Sequence, residues 1–460
     1  MSDPLRHPIF DDHKLEEPSA RSAHPDWLRA EVTFATVVVL VGVTAAFGGM
    51  LLTMLLHLVQ HLAYGYDLGH VASPESFLQG VVAASPFRRV VAFTLCGAVA
   101  GVGWWAVHRF GRPLVSVKTA VGTEKAGPRM PLLPTIAHAL LQVVTVALGS
   151  PLGREVAPRE IGALLATRLS SLAALTDGET RIAIACGAGA GLAAVYNVPL
   201  GGAMFVLEVL LNTMAPRAVA AALTASVTAS TVAWIGLGDV SQYTVPPLAI
   251  TPRLVAASIV AGPLFGMAAY AFKLITDTAT ARAAHGWTMV PCAVMAFLII
   301  GLIATQLPQI PGNGKGPSQL GFDGELDGKL AASLLVLKLF AIAISLRVGA
   351  AGGMLTPSLT LGALLATALC QLWSPVFPGI SNAGFAIVGA AAFLAASMNM
   401  PMTAILLVLE FTRVGHDFCI PIFLAVAGSI AARRACATLF SRLGQPVRAQ
   451  AASTAPGNSS

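Results

Sequence analysis

Residues Gly187–Val209 read GAGAGLAAVYNVPLGGAMFVLEV, and residues Gly389–Phe411 read GAAAFLAASMNMPMTAILLVLEF. Asn197, Pro199 and Glu208 of the first stretch align with Asn399, Pro401 and Glu410 of the second. Upstream, GALLAT at Gly162–Thr167 returns letter for letter at Gly362–Thr367. Alanine-rich apolar segments resemble one another by chance, so one such match says little. Two matches in the same order, both at a spacing near 200 residues, say that the chain repeats itself. It divides into a first segment 1–32, a first repeat 33–236, a linker 237–252, a second repeat 253–441 and a tail 442–460, read as disordered and without a soluble regulatory domain.

Composition sets the solvent for these halves. Of 460 residues, 55% are hydrophobic and only 11% charged, with a mean hydropathy of +0.74. A soluble chain carries about 25% charged residues. Thr33–Val59, Val90–Val107, Leu254–Phe272 and Val290–Gln306 are each apolar, and a bilayer crossing takes roughly 20 residues. Short alternating segments of the β-barrel kind are absent. The chain therefore reads as an all-α polytopic membrane protein. Other apolar runs (Leu132–Leu148, Ile182–Val195, Gly201–Leu211) are short and separated by Gly, Pro and Asn. Broken backbone at membrane depth is tolerated where protein buries it or where it lines a polar cavity, the mark of a transporter or channel.

Residues 1–31 are polar and lack the basic start and short apolar core of a signal peptide, so the first apolar run is a retained helix. Basic residues cluster at Arg109, Arg112, Lys118, Lys125 and Arg129, and again at Arg433, Arg434 and Arg442. With those sides cytoplasmic, both termini are cytoplasmic too. The net charge of +6 suits loops facing lipid headgroups and gives no case for nucleic acid. The six cysteines mostly sit singly in apolar runs, no metal or catalytic motif stands out, and no cofactor is implied. His57, His61, His108 and His138 are isolated and read as packing or interfacial residues. The polar stretch Pro311–Lys329 reads as a solvated loop; the other possibility is a vestibule wall in which Lys315 draws anions inward.

The repeat also marks helix starts. NVP and NMP place Asn two residues before Pro, a cap followed by a first-turn proline. GREVAP and GGMLTP each place a glycine turn and a proline before an apolar helix. Four helix N-termini are thus candidates to converge, each with unpaired N–H groups and a partial charge of about +0.5. Such a convergence is an anion site. Into it the segment GREVAPRE, Gly153–Glu160, brings two arginines and two glutamates. At the repeat spacing Glu155 stands opposite Leu355, so only one half has the acid. From Glu155 to Arg159 is about one helical turn, within ion-pair reach.

These motifs resemble the CLC family of chloride channels and proton/chloride exchangers over nearly all of 33–441. GREVAPREIG is similar to the family's GREGP segment, and GAAGGMLTPSLTLG (Gly349–Gly362) to the segment with GxFxP. The resemblance implies a CLC-like fold of two inverted repeats with about eighteen tilted and re-entrant helices. It also implies a homodimer in lipid, in the inner (plasma) membrane of a bacterial host, with one pathway per subunit for chloride and similar small anions, and no enzymatic activity. By position, Glu155 corresponds to the gating glutamate, which yields its site to chloride when it swings out or takes a proton. Ser116, in PLVSVKTAVG, falls on the serine of GSGIP; Met354 and Leu355 fall on backbone N–H donors; Phe440, in ATLFSRL, falls on a coordinating tyrosine and lacks its hydroxyl.

Several departures shape the functional expectation. The inner position, often a second glutamate serving protons in exchangers, is Val209, which holds no proton. The favoured reading is a chloride channel. The alternative is a proton-coupled exchanger, since some exchangers also lack that acid. A fluoride-selective transporter is third, disfavoured by Ser116. Glu208 and Glu410 read as structural acids near helix ends. Arg159 and Glu160 stand where the family is usually uncharged, and Arg159 is expected to restrain Glu155 and sharpen the pH dependence of opening.

Overall fold

A computed structural model describes residues 24–65, 77–376 and 378–453. The first half comprises α1 (His24–Tyr64), α2 (Phe77–Ala83), α3 (Pro86–Phe110), α4 (Val117–Val121), α5 (Leu132–Ala147), α6 (Val156–Leu172), α7 (Asp177–Tyr196), α8 (Pro199–Phe205) with a π-turn at Val206–Leu211, and α9 (Pro216–Leu237). The second comprises α10 (Pro252–Ala281), α11 (Met289–Gln306), α12 (Lys315–Asp323), α13 (Gly328–Arg347), α14 (Leu355–Trp373), α15 (Asn382–Met398), α16 (Pro401–Thr412) and α17 (Cys419–Ser453). Among the described residues, eight helices are long and apolar enough to cross a bilayer, with shorter apolar helices such as α5 and α15 between them.

The conserved letters of the repeat are close-packing points. A Cβ on Gly162 of α6 would lie 2.0 Å from the Gly187 carbonyl of α7, and one on Gly187 would lie 2.3 Å from the Gly162 carbonyl. Gly362 and Gly389 make the same reciprocal contact between α14 and α15. Lipid gives no hydrophobic drive to pair helices, so backbones that approach this closely are how the halves hold together. The hydroxyls follow the same symmetry: Ser230 donates to the Ala193 carbonyl (3.1 Å) and Ser429 to the Ala392 carbonyl (2.9 Å).

The helices correct the sequence reading in four places. Asn197 (φ 54°) and Asn399 (φ 55°) close α7 and α15 in the left-handed conformation; Val198 and Met400 stand at the N-caps of α8 and α16. Asparagine tolerates that conformation, so it ends one helix here and does not cap the next. The stretch 311–329 is not a loop throughout, because it contains α12. The segment 442–453, expected without structure, continues α17; residues 454–460 lie outside the described residues. Likewise α1 already begins at His24, inside the segment read as 1–32, most of which lies outside the described residues.

Between the halves, Asp239 accepts from Asn197 Nδ2 at 2.8 Å and is ion-paired with Arg413. The Asn197 hydrogen bond and then Arg413 hold its carboxyl below the usual carboxylate range. A lowered carboxyl stabilises the fold above its ordinary value, about 3.9, and loses that contribution as pH falls through the folded value. Linker cleavage by a protease active in acid should therefore accelerate in that acid window, and Asp239→Asn should be cleaved with a flat pH profile. For the glycine contacts, Gly162→Ala should lower stability by about 2–3 kcal/mol, as backbone overpacking does. A thermal-unfolding midpoint equal to that of the unmodified protein would contradict this packing.

Candidate functional site

The turns leading to the site are built alike in both halves. Gly149 (φ 118°) ends α5 and Gly349 (φ 85°) ends α13, both in the region that only glycine enters freely. Each turn sends the chain on to a glycine four residues later. There Gly153 and Gly353 pair: the N–H of each donates to the carbonyl of the other at 2.7 Å. Residues opposite one another in the repeat are therefore in direct contact, and α6 and α14 start side by side.

Glu155, the residue before α6, lies fully buried in this junction. Its Oε1 accepts from the Leu355 N–H at 2.5 Å, and the Thr356 N–H also points at the carboxylate. A Cβ on Gly153 would lie 2.0 Å from Oε2, and one on Gly353 2.1 Å from Oε1. Only glycine leaves room for the acid. Oε2 has no partner. Neither do the buried Arg154 Nη1, Tyr196 Oη and Thr356 Oγ1. The Tyr196 hydroxyl faces Thr356 and Arg154, within electrostatic range of Glu155. Arg154 lies over the Tyr196 ring, 5.4 Å from its centroid. Lys315 lies within electrostatic range of Arg154, and His57 within range of both. A carboxylate ringed by unpaired donors at two helix starts occupies a site suited to an anion.

The four helix starts form two separate pairs. Those of α8 and α16 are already closed by acids. Glu410 accepts from the Leu200 and Gly201 N–H groups (2.9 and 2.7 Å), and Glu208 from those of Met402 and Thr403 (3.1 and 2.7 Å). Each half thus caps a helix of the other. Val209, on the π-turn, is partly buried and packs against the main core.

The other expected residues divide. The Leu355 N–H donates to the carboxylate and the Thr356 N–H lies near it, while Met354 stands at the N-cap of α14. Arg159 does not reach the carboxylate: its Nε donates to the Glu155 carbonyl at 2.9 Å and its guanidinium lies 5.0 Å from the Phe205 ring centroid. One turn of helix brings it back to the backbone of residue 155 while that carboxylate points away toward α14. Ser116 is exposed and caps α4, its hydroxyl accepting from the Thr119 N–H at 3.1 Å. Phe440 is 53% exposed and stacks on Tyr270 at 5.6 Å, between α10 and α17. Because α17 runs unbroken through residue 440, no helix start carries Phe440 to Glu155, and its assignment to the anion site is corrected.

Sequence reading missed Tyr196, whose signal was its place one residue before the repeated Asn-x-Pro. It also missed the pairing of His138 with Glu160 across α5 and α6, at 2.9 Å. That contact joins residues 22 positions apart and leaves no local pattern.

Comparison with known proteins agrees with this geometry. The chain is 28% identical to the voltage-gated ClC-type chloride channel ClcB of Escherichia coli, over 82% of this chain and 90% of that one. It is also 28% identical to the H(+)/Cl(-) exchange transporter ClcA of Klebsiella pneumoniae, over 74% of this chain and 75% of that one. Its fold matches that of a slow cyanobacterial Cl-/H+ antiporter with a TM-score of 0.74 at 20% identity, over 92% of this chain and 99% of that one. The family profile described as voltage gated chloride channel matches residues 93–434, three quarters of the chain. With that match, and with two repeats meeting at an acid held by paired helix starts, the chain belongs to the CLC family of voltage-gated chloride channels and their transporter relatives.

Proposed function

We propose that this protein carries chloride and similar small anions across the membrane, through one pathway per subunit, with the Glu155 carboxylate as the gate. The observation that supports this most is the bond from the Leu355 N–H to Glu155 Oε1 in a fully buried cradle. A carboxylate there imitates the ion. Protonation or outward rotation removes it, and an entering anion meets the N–H groups of Leu355 and Thr356, the Thr356 and Tyr196 hydroxyls and Arg154. Ser116, exposed at the start of α4, is a second contact along the route.

The transport mode we propose is channel-like, because Val209 offers no proton site on the π-turn. The second reading, a proton-coupled exchanger, draws on the name of the ClcA relative. We further propose a homodimer through the exposed apolar faces of α9 and α17 (Val227, Trp234, Ile420, Phe423). We also propose that the protein lies in the inner membrane of a bacterial host with both termini cytoplasmic, a reading supported by the basic clusters at 109–129 and 433–442.

Three results would test these readings. Anion flux into proteoliposomes should rise by roughly an order of magnitude from neutral to acid pH, as the carboxylate is neutralised. Glu155→Gln should be open and flat across that range; a retained pH response would exclude Glu155 as the gate. Arg159→Ala removes a positive charge near the acid and should shift half-activation to higher pH, whereas an unchanged profile would end the restraining role of Arg159. In planar bilayers under combined chloride and proton gradients, the reversal potential should follow chloride alone. A shift with the proton gradient would establish the exchanger.

A further inference from the structure

The spans α10 and α13 end side by side, and each ends in an arginine. Arg282 follows the last residue of α10, and Arg347 is the last residue of α13. Just beyond α10 the Ala284 N–H donates to the Arg347 carbonyl at 2.9 Å, which holds the two ends at one level. That level is on the Arg109 side of the protein. Trp287, just before α11, meets Trp105 of α3 edge-on at 5.6 Å, and Trp105 meets Phe110, the neighbour of Arg109, at 5.7 Å. Tryptophan rings at the ends of spans mark the membrane–water interface.

From these ends a groove of about 520 Å³ runs back along both helices. Its α10 wall carries Leu274, Ile275 and Arg282, and its α13 wall Phe340, Ile344 and Arg347, at spacings that keep each set on one helix face. Leu274, Ile275 and Phe340 are 45%, 38% and 42% exposed, so the apolar walls stand open to lipid. The charge at the mouth has one sign. The only acid of α10, Asp277, is ion-paired with Lys273, and α13 contains no acid. Among the described residues, no acid pairs with Arg282 or Arg347. An arginine at a helix end complements the dipole of its own helix. That role does not require two guanidinium groups on one groove, and here both line the same cavity.

We propose that this groove binds one anionic phospholipid per subunit, with its phosphate held by Arg282 and Arg347 and an acyl chain lying along Leu274, Ile275, Phe340 and Ile344. Charge and shape select this occupant together. A guanidinium fork matches phosphate oxygens in pairs, and basic pockets between spans at the membrane surface take lipid headgroups. A zwitterionic headgroup would bring its own cation up to the two arginines. A free phosphate would leave the apolar walls unused; the volume is that of ordinary ligand sites, roughly 300–1,000 Å³, and exceeds what an ion fills. A second copy packed groove to groove would set arginine against arginine. The site stands apart from Glu155 and from the mode of transport.

The test titrates the full chain in nonionic detergent with phosphatidylglycerol or phosphatidylcholine of the same acyl chains, read by native mass spectrometry. The unmodified protein should hold one phosphatidylglycerol per subunit roughly tenfold more tightly than phosphatidylcholine. Arg282→Gln and Arg347→Gln should each weaken phosphatidylglycerol about fivefold, and the double variant roughly 25-fold, with phosphatidylcholine unchanged. Ala343→Trp, which fills the groove, should also release phosphatidylglycerol. Removing two charges on the same side outside the groove, Arg109→Gln with Arg112→Gln, should change affinity by less than about twofold. An equal loss there would reduce the effect to surface charge and overturn the site, as would undiminished binding in the Arg282/Arg347 double variant. Displacement of the lipid by inorganic phosphate at matching concentration would overturn the lipid as occupant. Loss of a dimer in Ala343→Trp would give the groove to a second copy. A readout independent of variant folding is crosslinking of the unmodified protein in phosphatidylcholine vesicles doped with photoactivatable phosphatidylglycerol. Label should fall within 274–282 and 340–347; label confined to other segments would overturn the proposal.

Discussion

Two backbone hydrogen bonds, from Gly153 to Gly353 and back, fix the rest of the arrangement. Backbone groups at membrane depth have no water to bond, so a chain that stops mid-membrane must satisfy them internally. Here the two interrupted segments satisfy each other. The pairing brings two helix starts together and leaves room only for what a glycine pair admits. The carboxylate of Glu155 takes that room. Its Oε1 is held by Leu355 of the opposite half, so the cradle of this acid is made jointly by both repeats.

The second pair of helix starts shows the contrast. At α8 and α16, Glu410 and Glu208 close the N–H groups from the opposite half, and each half supplies one acid. The arrangement is symmetric and locked. At α6 and α14 only one half supplies the acid, and Leu355 takes the other place. One carboxylate across two helix starts leaves Oε2, Tyr196, Thr356 and Arg154 with spare hydrogen-bonding capacity. In the function proposed, that imbalance is what would let an anion replace the acid.

The spans, the repeat and the uniqueness of Glu155 were legible in the sequence, because hydropathy and spacing are local properties. The glycine contacts of Gly162 with Gly187 were implicit in the repeated GALLAT and GAGAG letters. What the letters did not carry was pairing. Asn197 before Pro199 fits a cap of the next helix as well as an end of the last, and only backbone geometry separates them. Arg159 stands one turn from Glu155, yet bonds its carbonyl and not its carboxylate, because the carboxylate turns toward α14. Phe440 was placed by motif position, which assumes a broken helix where α17 is continuous. His138 and Glu160 meet across two helices, and nothing in either neighbourhood announces it.

The central claim is that Glu155 fills an anion site. The most direct measurement is anomalous diffraction from bromide-soaked crystals of the unmodified protein and of Glu155→Ala. The account predicts a bromide peak in Glu155→Ala at hydrogen-bonding distance, about 3.3 Å, from the backbone nitrogens of Leu355 and Thr356. It predicts no peak at that point in the unmodified protein at neutral pH. A cradle without bromide in Glu155→Ala, with bromide bound elsewhere along the chain, would contradict it.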